Sequence, residues 1–449
     1  MLIRVICREL RDYCPRLGIP RGNRLPVASS SRAPSACFTF PVYRTFATEI
    51  SGYPFDPAKS RFESDEPGTH AMVDVIKKAA ELHHDSSPMA VLYKSKIAPD
   101  KSLMQSTIWA LRQNWRLAVL GFTWGEKLNQ TDEDSRDLII WILGSHKKFN
   151  SAWMMIREWQ RSSSNVRRQM LTMIDRYAAA NVPERATWTF KLMEKFRASP
   201  DDEAYRFLLT SLCNHGFIEE AEDFMLLNKN LFPLDVSFFN ILLNAWCNSN
   251  VDVSEAKRIW RQMSRYCIVP DETSVTHMIS CFSKVGNLFD SLRLYDGMKR
   301  RRWVPCVDVY NSLVYVLTRE GCLGEALKMI ERSKEEQWEP NCETYSLMIR
   351  ALCEMKGVKW DTISKLGLQV LSKLFEMKKG ENSLRVWEEM KKFGVVIDEA
   401  HYCLMVEELV KCGMVNVAKQ LFDEMKVCGF SCDPKLDKVL GNFRGEICL

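Results

Sequence analysis

The sequence predicts an all-α fold, an α-solenoid of stacked helix-turn-helix hairpins, and three observations predict it. Ala186, Ala221, Ala256, Ser291 and Ala326 recur at steps of 35 residues. Other residue types keep the same step independently: Met263 and Met298, Gly286 and Gly321, Pro270, Pro305 and Pro340, Met390 and Met425. Within one step the apolar residues follow helical rather than alternating spacing, and glycine or proline punctuates them. A period of this length marks a repeat array. A two-helix unit cannot bury both of its apolar faces alone, so it stacks on its neighbours.

The segment 307–341 shows how one unit is built. Val309, Tyr310, Leu313, Val314 and Leu317 line one face of a first helix, which Gly321 ends. Leu323, Ala326, Leu327, Met329 and Ile330 turn inward on a second helix that stops before Pro340. The small residue at 326 lets the two helices approach closely. Extending the comb backwards reaches Ala152 and Ala118 at steps of 34. Forwards it reaches Ser383 after 57 residues and Ala418 after a further 35.

Nine units follow: 99–132, 133–166, 167–201, 202–235, 236–271, 272–306, 307–341, 342–398 and 399–433. The array thus occupies 99–433, preceded by a linker with lead helices at 47–98 and followed by part of one more helix at 434–449. That last piece leaves an apolar face open, which suits a shortened array or pairing with a partner. Deleting 357–378 restores a 35-residue unit in 342–398, so that piece reads as an insertion. It is an amphipathic helix with Ile363, Leu366, Val370, Leu371 and Leu374 apolar. It is expected to dock a partner, to pack as an extra helix, or to be an alternatively included sequence.

The 449 residues exceed the size of a single core, roughly 250–300 residues, as an array allows. No run of about 18 apolar residues occurs, so no membrane span is expected. The 16 cysteines are scattered singly without C-x-x-C, and suit reduced thiols in a reducing compartment. The net charge of +5 is concentrated at one end: residues 1–46 hold eight Arg against Glu9 and Asp12, a balance of +6, leaving −1 for the rest. Global charge therefore does not argue for nucleic acid; only local placement can. Residues 1–46, rich in Arg and Ser, read as a mitochondrial transit peptide, with processing near Arg44–Ser51. Chloroplast import and a disordered cytosolic tail are the alternatives.

The units themselves resemble the pentatricopeptide repeat, across about residues 99–433. The residues that carry the resemblance are N-x-L motifs in the first helix, a late first-helix Cys (Cys213, Cys247, Cys353), a turn Gly (Gly216, Gly286, Gly321, Gly413), a Met ending the second helix and a terminal P-[DN]. The W-x-x-L-G-x-x-Y first helix of the tetratricopeptide repeat is missing. WRLAVLGFTW, residues 115–124, is similar to the entry repeat of the plant P-class members, whose units are uniform. The resemblance implies a right-handed superhelix and an organellar, single-stranded RNA-binding protein that reads one base per repeat.

In such a protein a polar residue early in each first helix addresses a base edge, assisted by the residue that closes the repeat. Carried over by position, the pairs are Leu171 with Asp201, Arg206 with Asp235, Asn240 with Asp271, Thr276 with Cys306, Asn311 with Asn341, Ser346 with Asp398, and Cys403 with Asp433. The family's code implies uracil for Asn with Asp, a pyrimidine for Asn with Asn, guanine for Ser with Asp, and a purine for Thr276. Read 5′ to 3′, the units from 236 to 342 then expect U, purine, pyrimidine, G. The slot three before the reader, usually apolar, holds Ser237, Thr273, Asp308, Glu343 and Ala400, which implies weaker base stacking. Lys284, Arg319 and Lys411 occupy the slot where the family presents cations to phosphates; about three neutralised phosphates imply a salt slope near −2. For Asn311 helix capping is the competing role, because Asn readily accepts first-turn N–H groups.

Catalytic signatures are missing. The seven His include no H-x-E followed by C-x-x-C, the deaminase pattern, and no G-x-S-x-G, H-E-x-x-H or phosphate-binding glycine loop occurs. His83 and His84 read as a solvated pair, His215 and His277 as packing or groove residues, and the run Lys299-Arg300-Arg301-Arg302 as a solvated convex edge. No enzyme activity, metal or cofactor is expected. The expected partner is an organellar transcript; a structural or adaptor role, for example in the mitochondrial ribosome, is the alternative.

Overall fold

The computed structural model describes residues 67–430 apart from 82–87, 96–98, 163, 334, 336–337, 356–358 and 377–379. The expected transit peptide at 1–46, the C-terminal helix at 434–449 and Asp433 lie outside the described residues. Among the described residues there are 21 α-helices and no strand, as the all-α reading requires. No described helix is long and apolar enough to cross a membrane.

The described residues divide into two compact bodies. One holds the residues up to Ser249 together with Arg261–Val269, and the other holds Asn250–Trp260 together with the residues from Pro270 onwards. In the amino-terminal body, helices Lys101–Ala110, Glu133–Ser145, Arg167–Ala179, Asp202–Asn214 and Val236–Asn244 pack each on the next. Helices Trp115–Lys127, Phe149–Arg161, Pro183–Leu192 and Ile218–Leu227 are their hairpin partners. One more helix, Pro67–Glu81, packs on Lys101–Ala110 in the same manner and carries its own short partner, Pro88–Lys94. The stack therefore begins before residue 99, where the comb loses its beat.

In the carboxy-terminal body, Glu272–Lys284, Val307–Arg319 and Cys342–Cys353 pack in succession, with Leu288–Arg300 and Leu323–Glu331 as hairpin partners. Helices Trp360–Glu376, Gly380–Lys392, Glu399–Lys411 and Val415–Val427 complete it.

The comb has a direct physical cause. Ala118, Ala152, Ala186, Ala221, Ala256, Ser291, Ala326, Ser383 and Ala418 are each 0% exposed. Each sits in the first turn of a second helix, where a larger side chain would hold the hairpin open. At one such contact the Ser283 and Ser291 hydroxyls meet across the hairpin at 3.2 Å. The turn between the helices needs one left-handed residue, a role glycine fills without strain. Gly216 (φ 88°) and Gly321 (φ 82°) fill it, whereas Lys147 (φ 56°), Asn181 (φ 63°) and Val251 (φ 52°) take the same conformation with a side chain attached. Val251 follows a π turn at Ala245–Ser249, in a unit one residue longer than 35. A π turn absorbs one extra residue without ending the helix.

The inserted piece is a packed helix, Trp360–Glu376, with Ile363, Val370, Leu371 and Leu374 buried. It runs antiparallel to Gly380–Lys392 and close to it: a Cβ on Gly367 would lie 2.6 Å from Met390 Cε. Its far end reaches back to the preceding hairpin, where Lys373 pairs with Glu331 at 2.6 Å.

Candidate nucleic-acid interface

Most first helices begin with a side-chain cap; Val166, before helix Arg167–Ala179, provides none. Asp100, Asp132, Asp201, Asp235, Asp271, Asn341 and Asp398 are N-caps whose side chains accept the N–H three residues on. An N-cap of this type satisfies one of the first-turn N–H groups and contributes about 1 kcal/mol. Asp271, Asn341 and Asp398 do so within capping boxes formed with Ser274, Thr344 and His401. Cys306 occupies the same position and makes no side-chain cap bond. The closing residues Asp201, Asp235, Asp271 and Asn341 of the expected reader pairs are thus the caps of the following first helix.

The fifth residue of a first helix meets this capped edge, and it does so repeatedly. Gln105 donates to Asp132 at 2.8 and 2.9 Å. Asp137 accepts from Gln169 at 2.7 Å and pairs with Arg168 at 2.7 Å. Arg206 donates to Asp235 at 3.1 Å and to Ser237 at 3.0 Å. Thr276 Oγ1 lies 4.0 Å from Cys306 Sγ, and also bonds the Glu272 carbonyl at 2.9 Å. Leu171, also a fifth residue, is buried and has no hydrogen-bonding group; near it Arg167 pairs with Asp201 at 2.7 Å.

Asn311 is also deeply enclosed, at 3% exposure, second only to Asp137 at 0% among the polar members of this series. It does not cap its own helix, whose N-cap is Cys306, so the capping role expected as its rival is excluded. Its Oδ1 lies 2.6 Å from the Thr344 hydroxyl, which is also 3.1 Å from Asn341 Oδ1. A hydroxyl has one hydrogen to donate, so Thr344 couples the two amides by sharing it. Asn311 Nδ2 is buried without a hydrogen-bond partner among the described residues. The Asn341 that was expected as a coupled partner is brought close, but as the cap of the next helix and through Thr344.

Asn240 also has bonding partners. Ser346, half-buried, and Asp398 are not brought together. Helix Cys342–Cys353, which carries Ser346, is not the one packed on Glu399–Lys411; the inserted helix is. There His401 contacts the Ser364 carbonyl at 3.0 Å while its other ring nitrogen bonds Asp398. The carry-over of Ser346 with Asp398 assumed uninterrupted hairpins, and the insertion breaks that assumption. For Cys403 the assigned partner, Asp433, lies outside the described residues.

Two of the three cation slots, Arg319 and Lys411, make internal bonds. The Arg319 guanidinium donates to the Lys284 carbonyl at 2.5 Å, joining two of the expected phosphate residues, and Lys411 pairs with Glu408 at 2.6 Å. Of the slots three before the reader, Ser237 is drawn into the Arg206 pair, and burial pushes the Asp308 carboxyl above the ordinary range. Lys299 and Arg301 of the basic run lie over the rings of Tyr295 and Trp303 at 4.6 and 4.9 Å.

Residues that the frame passed over complete the site. Gln105 and Asp137 fill the fifth position in the two most amino-terminal units; Asp132 before Ser135 was the sequence signal for the first of them. One helical turn beyond them, on the same face, stand Trp109 and Trp141, ring centroids 5.9 Å apart. Arg112 lies 4.3 Å over the first and Arg176 5.3 Å over the second. Guanidinium and indole planes in series are the chemistry on which unpaired bases stack. Burial pushes the Asp137 carboxyl up to about 7, against the attraction of Arg168. Among the described residues no group of His, Cys, Asp and Glu is placed to hold a metal.

The comparisons agree with the repeat architecture. Family models described as PPR repeat family, pentatricopeptide repeat domain and PPR repeat match residues 305–354, 258–320 and 400–430. A mitochondrial pentatricopeptide repeat-containing protein of Arabidopsis thaliana is 44% identical over 88% of this chain and 81% of its own length. A second mitochondrial one from the same plant is 31% identical over 49% of this chain and 40% of its own length. Among solved structures, the maize pentatricopeptide repeat protein PPR10 aligns at 18% identity and TM-score 0.38, over 83% of this chain and 60% of its own. Yeast Rmd9p in complex with a 16-nucleotide target RNA aligns at 12% identity and TM-score 0.38, over 84% of this chain and 86% of its own. With repeats matched by three family models and a relative of this identity along most of its length, the chain belongs to the pentatricopeptide repeat family.

Proposed function

We propose that the chain is a single-stranded RNA-binding protein of the P-class type, in which the fifth residue of each first helix and the capped edge of the next address one base. The observation that carries this reading is the recurrence of one junction: Gln105, Asp137, Arg206, Thr276 and Asn311 all meet the start of the following first helix. A slot repeated once per helix pair suits a ligand repeated once per nucleotide. Small hydrogen-bonding side chains at Asn240, Thr276, Asn311 and Ser346 supply readers, with Asp271, Cys306 and Asn341 as the assigned partners of the first three. Lys284, Arg319 and Lys411 supply positive charge. The names of the Arabidopsis relatives support mitochondria as the compartment; RNA processing, stabilisation, splicing or translation is the kind of work we propose there.

Selection from randomised RNA by the full chain tests binding and base order together. Enrichment of U, purine, pyrimidine in the order of Asn240, Thr276 and Asn311 is expected. Recovery of RNA with no preference at those positions would refute one-base-per-repeat reading. The structural or adaptor reading is favoured by a separate observation: nearly every closing residue already serves as an N-cap, a role that needs no RNA. Co-sedimentation with mitochondrial ribosomes that survives RNase and high salt would decide for it.

A further inference from the structure

Three contacts fix the direction in which the helices after Cys342–Cys353 run. Tyr345 Oη, near the start of that helix, receives the Asn382 side-chain N–H at 3.4 Å, and Asn382 is the third residue of Gly380–Lys392. Arg350, near its end, lies 5.8 Å over Phe393, just past the end of Gly380–Lys392. Start meets start and end meets end, so these two helices are parallel, as successive first helices are elsewhere. The pairing of Lys373 with Glu331 agrees, because it joins the last turns of the inserted helix and of Leu323–Glu331, both of which run opposite to Cys342–Cys353.

Gly380–Lys392 therefore stands next in the layer of first helices, although its sequence, with Ser383 on the comb, is that of a second helix. The following helix, Glu399–Lys411, runs antiparallel to it: a Cβ on Gly380 would lie 3.2 Å from Cys412 Sγ. One extra helix has reversed the phase of everything after it. Helix Glu399–Lys411 now starts at the edge where the earlier first helices end.

We propose that Asn382, rather than Asp398, is the second specificity-determining side chain at the Ser346 slot, and that the base-reading track of the carboxy-terminal body ends there, with Cys403 at the opposite edge. Asn382 holds the third position of the next helix in the layer, the position from which Gln169 and Thr344 reach the fifth residue before them. A carboxylate only accepts, and suits the N–H groups on the guanine edge. An amide both donates and accepts, and suits the adenine edge. The Ser346 slot thus favours adenine over guanine.

This proposal takes its RNA readout from the function proposed above, and the test keeps the two apart. Four RNAs differing only at the nucleotide opposite Ser346 are bound to the full-length protein, to Asn382→Asp and to Asp398→Asn. Wild type is expected to prefer adenine, and Asn382→Asp to shift the ratio towards guanine by about tenfold. Asp398→Asn, which keeps a competent cap, is expected to leave the ranking unchanged. A ranking that moves with Asp398→Asn and not with Asn382→Asp overturns the proposal. Failure of wild type to discriminate bases at Asn240 or Asn311 instead overturns the RNA-reading function. The reversal is also measurable without RNA, by spin labels at Glu343 and Glu399. Reversed phase offsets this pair along the helix axis by about 18 Å, one helix length, and so sets its labels measurably farther apart than labels at Glu272 and Asp308. Equal separations for the two pairs would overturn it.

Discussion

The same junction is filled differently in the two bodies. In the amino-terminal body Gln105, Asp137 and Arg206 hold its fifth position, each bonded to an acid, an amide or a guanidinium at the next helix start, beside the apolar Leu171 and the short, neutral Asn240. In the carboxy-terminal body Thr276, Asn311 and Ser346, short and neutral, hold it. Asp137 and Arg206 close the junction on itself, because each charge finds its counter-charge within reach. Short neutral side chains leave polar valence over, as the unpartnered Asn311 Nδ2 shows. Shared geometry therefore does not mean shared chemistry: ion pairs close the junctions at Asp137 and Arg206, whereas the junction at Asn311 holds only neutral groups.

The strongest way to break this contrast is Asn311→Ala. It should erase the pyrimidine preference at one RNA position and lower affinity by about tenfold to a hundredfold, as loss of a well-held base does. It also removes the Thr344 partner, so melting should report a loss of about 1 kcal/mol. Unfolding alone, with preference retained, would return the residue to a purely structural role. A smaller effect is expected from Arg206→Asn, which opens a closed junction opposite Asp235. A new uracil preference of roughly threefold to tenfold at that position should be measured by competition binding, since half-exposed ion pairs such as Arg206 with Asp235 contribute only about 0–1 kcal/mol to hold it shut.

The smallest effect concerns pH. Asp137 has its carboxyl raised to about 7 from an ordinary value of 3.8, chiefly by burial. The folded state therefore binds the proton more tightly than the unfolded state. Its contribution is complete below about pH 4 and is lost as pH rises to about 7, with a slope of at most about 1.4 kcal/mol per unit. Asp137→Asn should remove this slope in urea melts between pH 4 and 8 while leaving RNA preference in the carboxy-terminal body untouched. An unchanged slope would show that Arg168 keeps the group ionised.

Much of the fold was legible because hairpin packing writes itself into sequence. A second helix can approach the first only over a small side chain, so Ala and Ser recur, and every member of that comb is fully buried. Lead helices were expected within 47–98, but their pairing as a hairpin at 67–94 was not, because no small residue marks it at the expected step. The candidate site was less legible. Spacing located the fifth position, yet Asn341 looked like a ligand-facing partner and is also a cap bonded to Thr344. Gln105, Asp137 and the neighbouring Trp109 and Trp141 were passed over because the amino-terminal units match the repeat pattern least. Helix direction was not legible at all: Gly380–Lys392 has the residues of a second helix, and only its contacts with Tyr345 and Arg350 place it among the first.

The π turn at Ala245–Ser249 and the helix at Trp360–Glu376 are both insertions, and they differ in parity. One surplus residue is taken up within a turn, and every later element keeps its orientation. One surplus helix is an odd step in an alternating series, the spatial counterpart of a shifted reading frame. Such an array can gain or lose hairpins and stay in phase. Only a second single helix added after Trp360–Glu376 would restore the original sense to whatever follows.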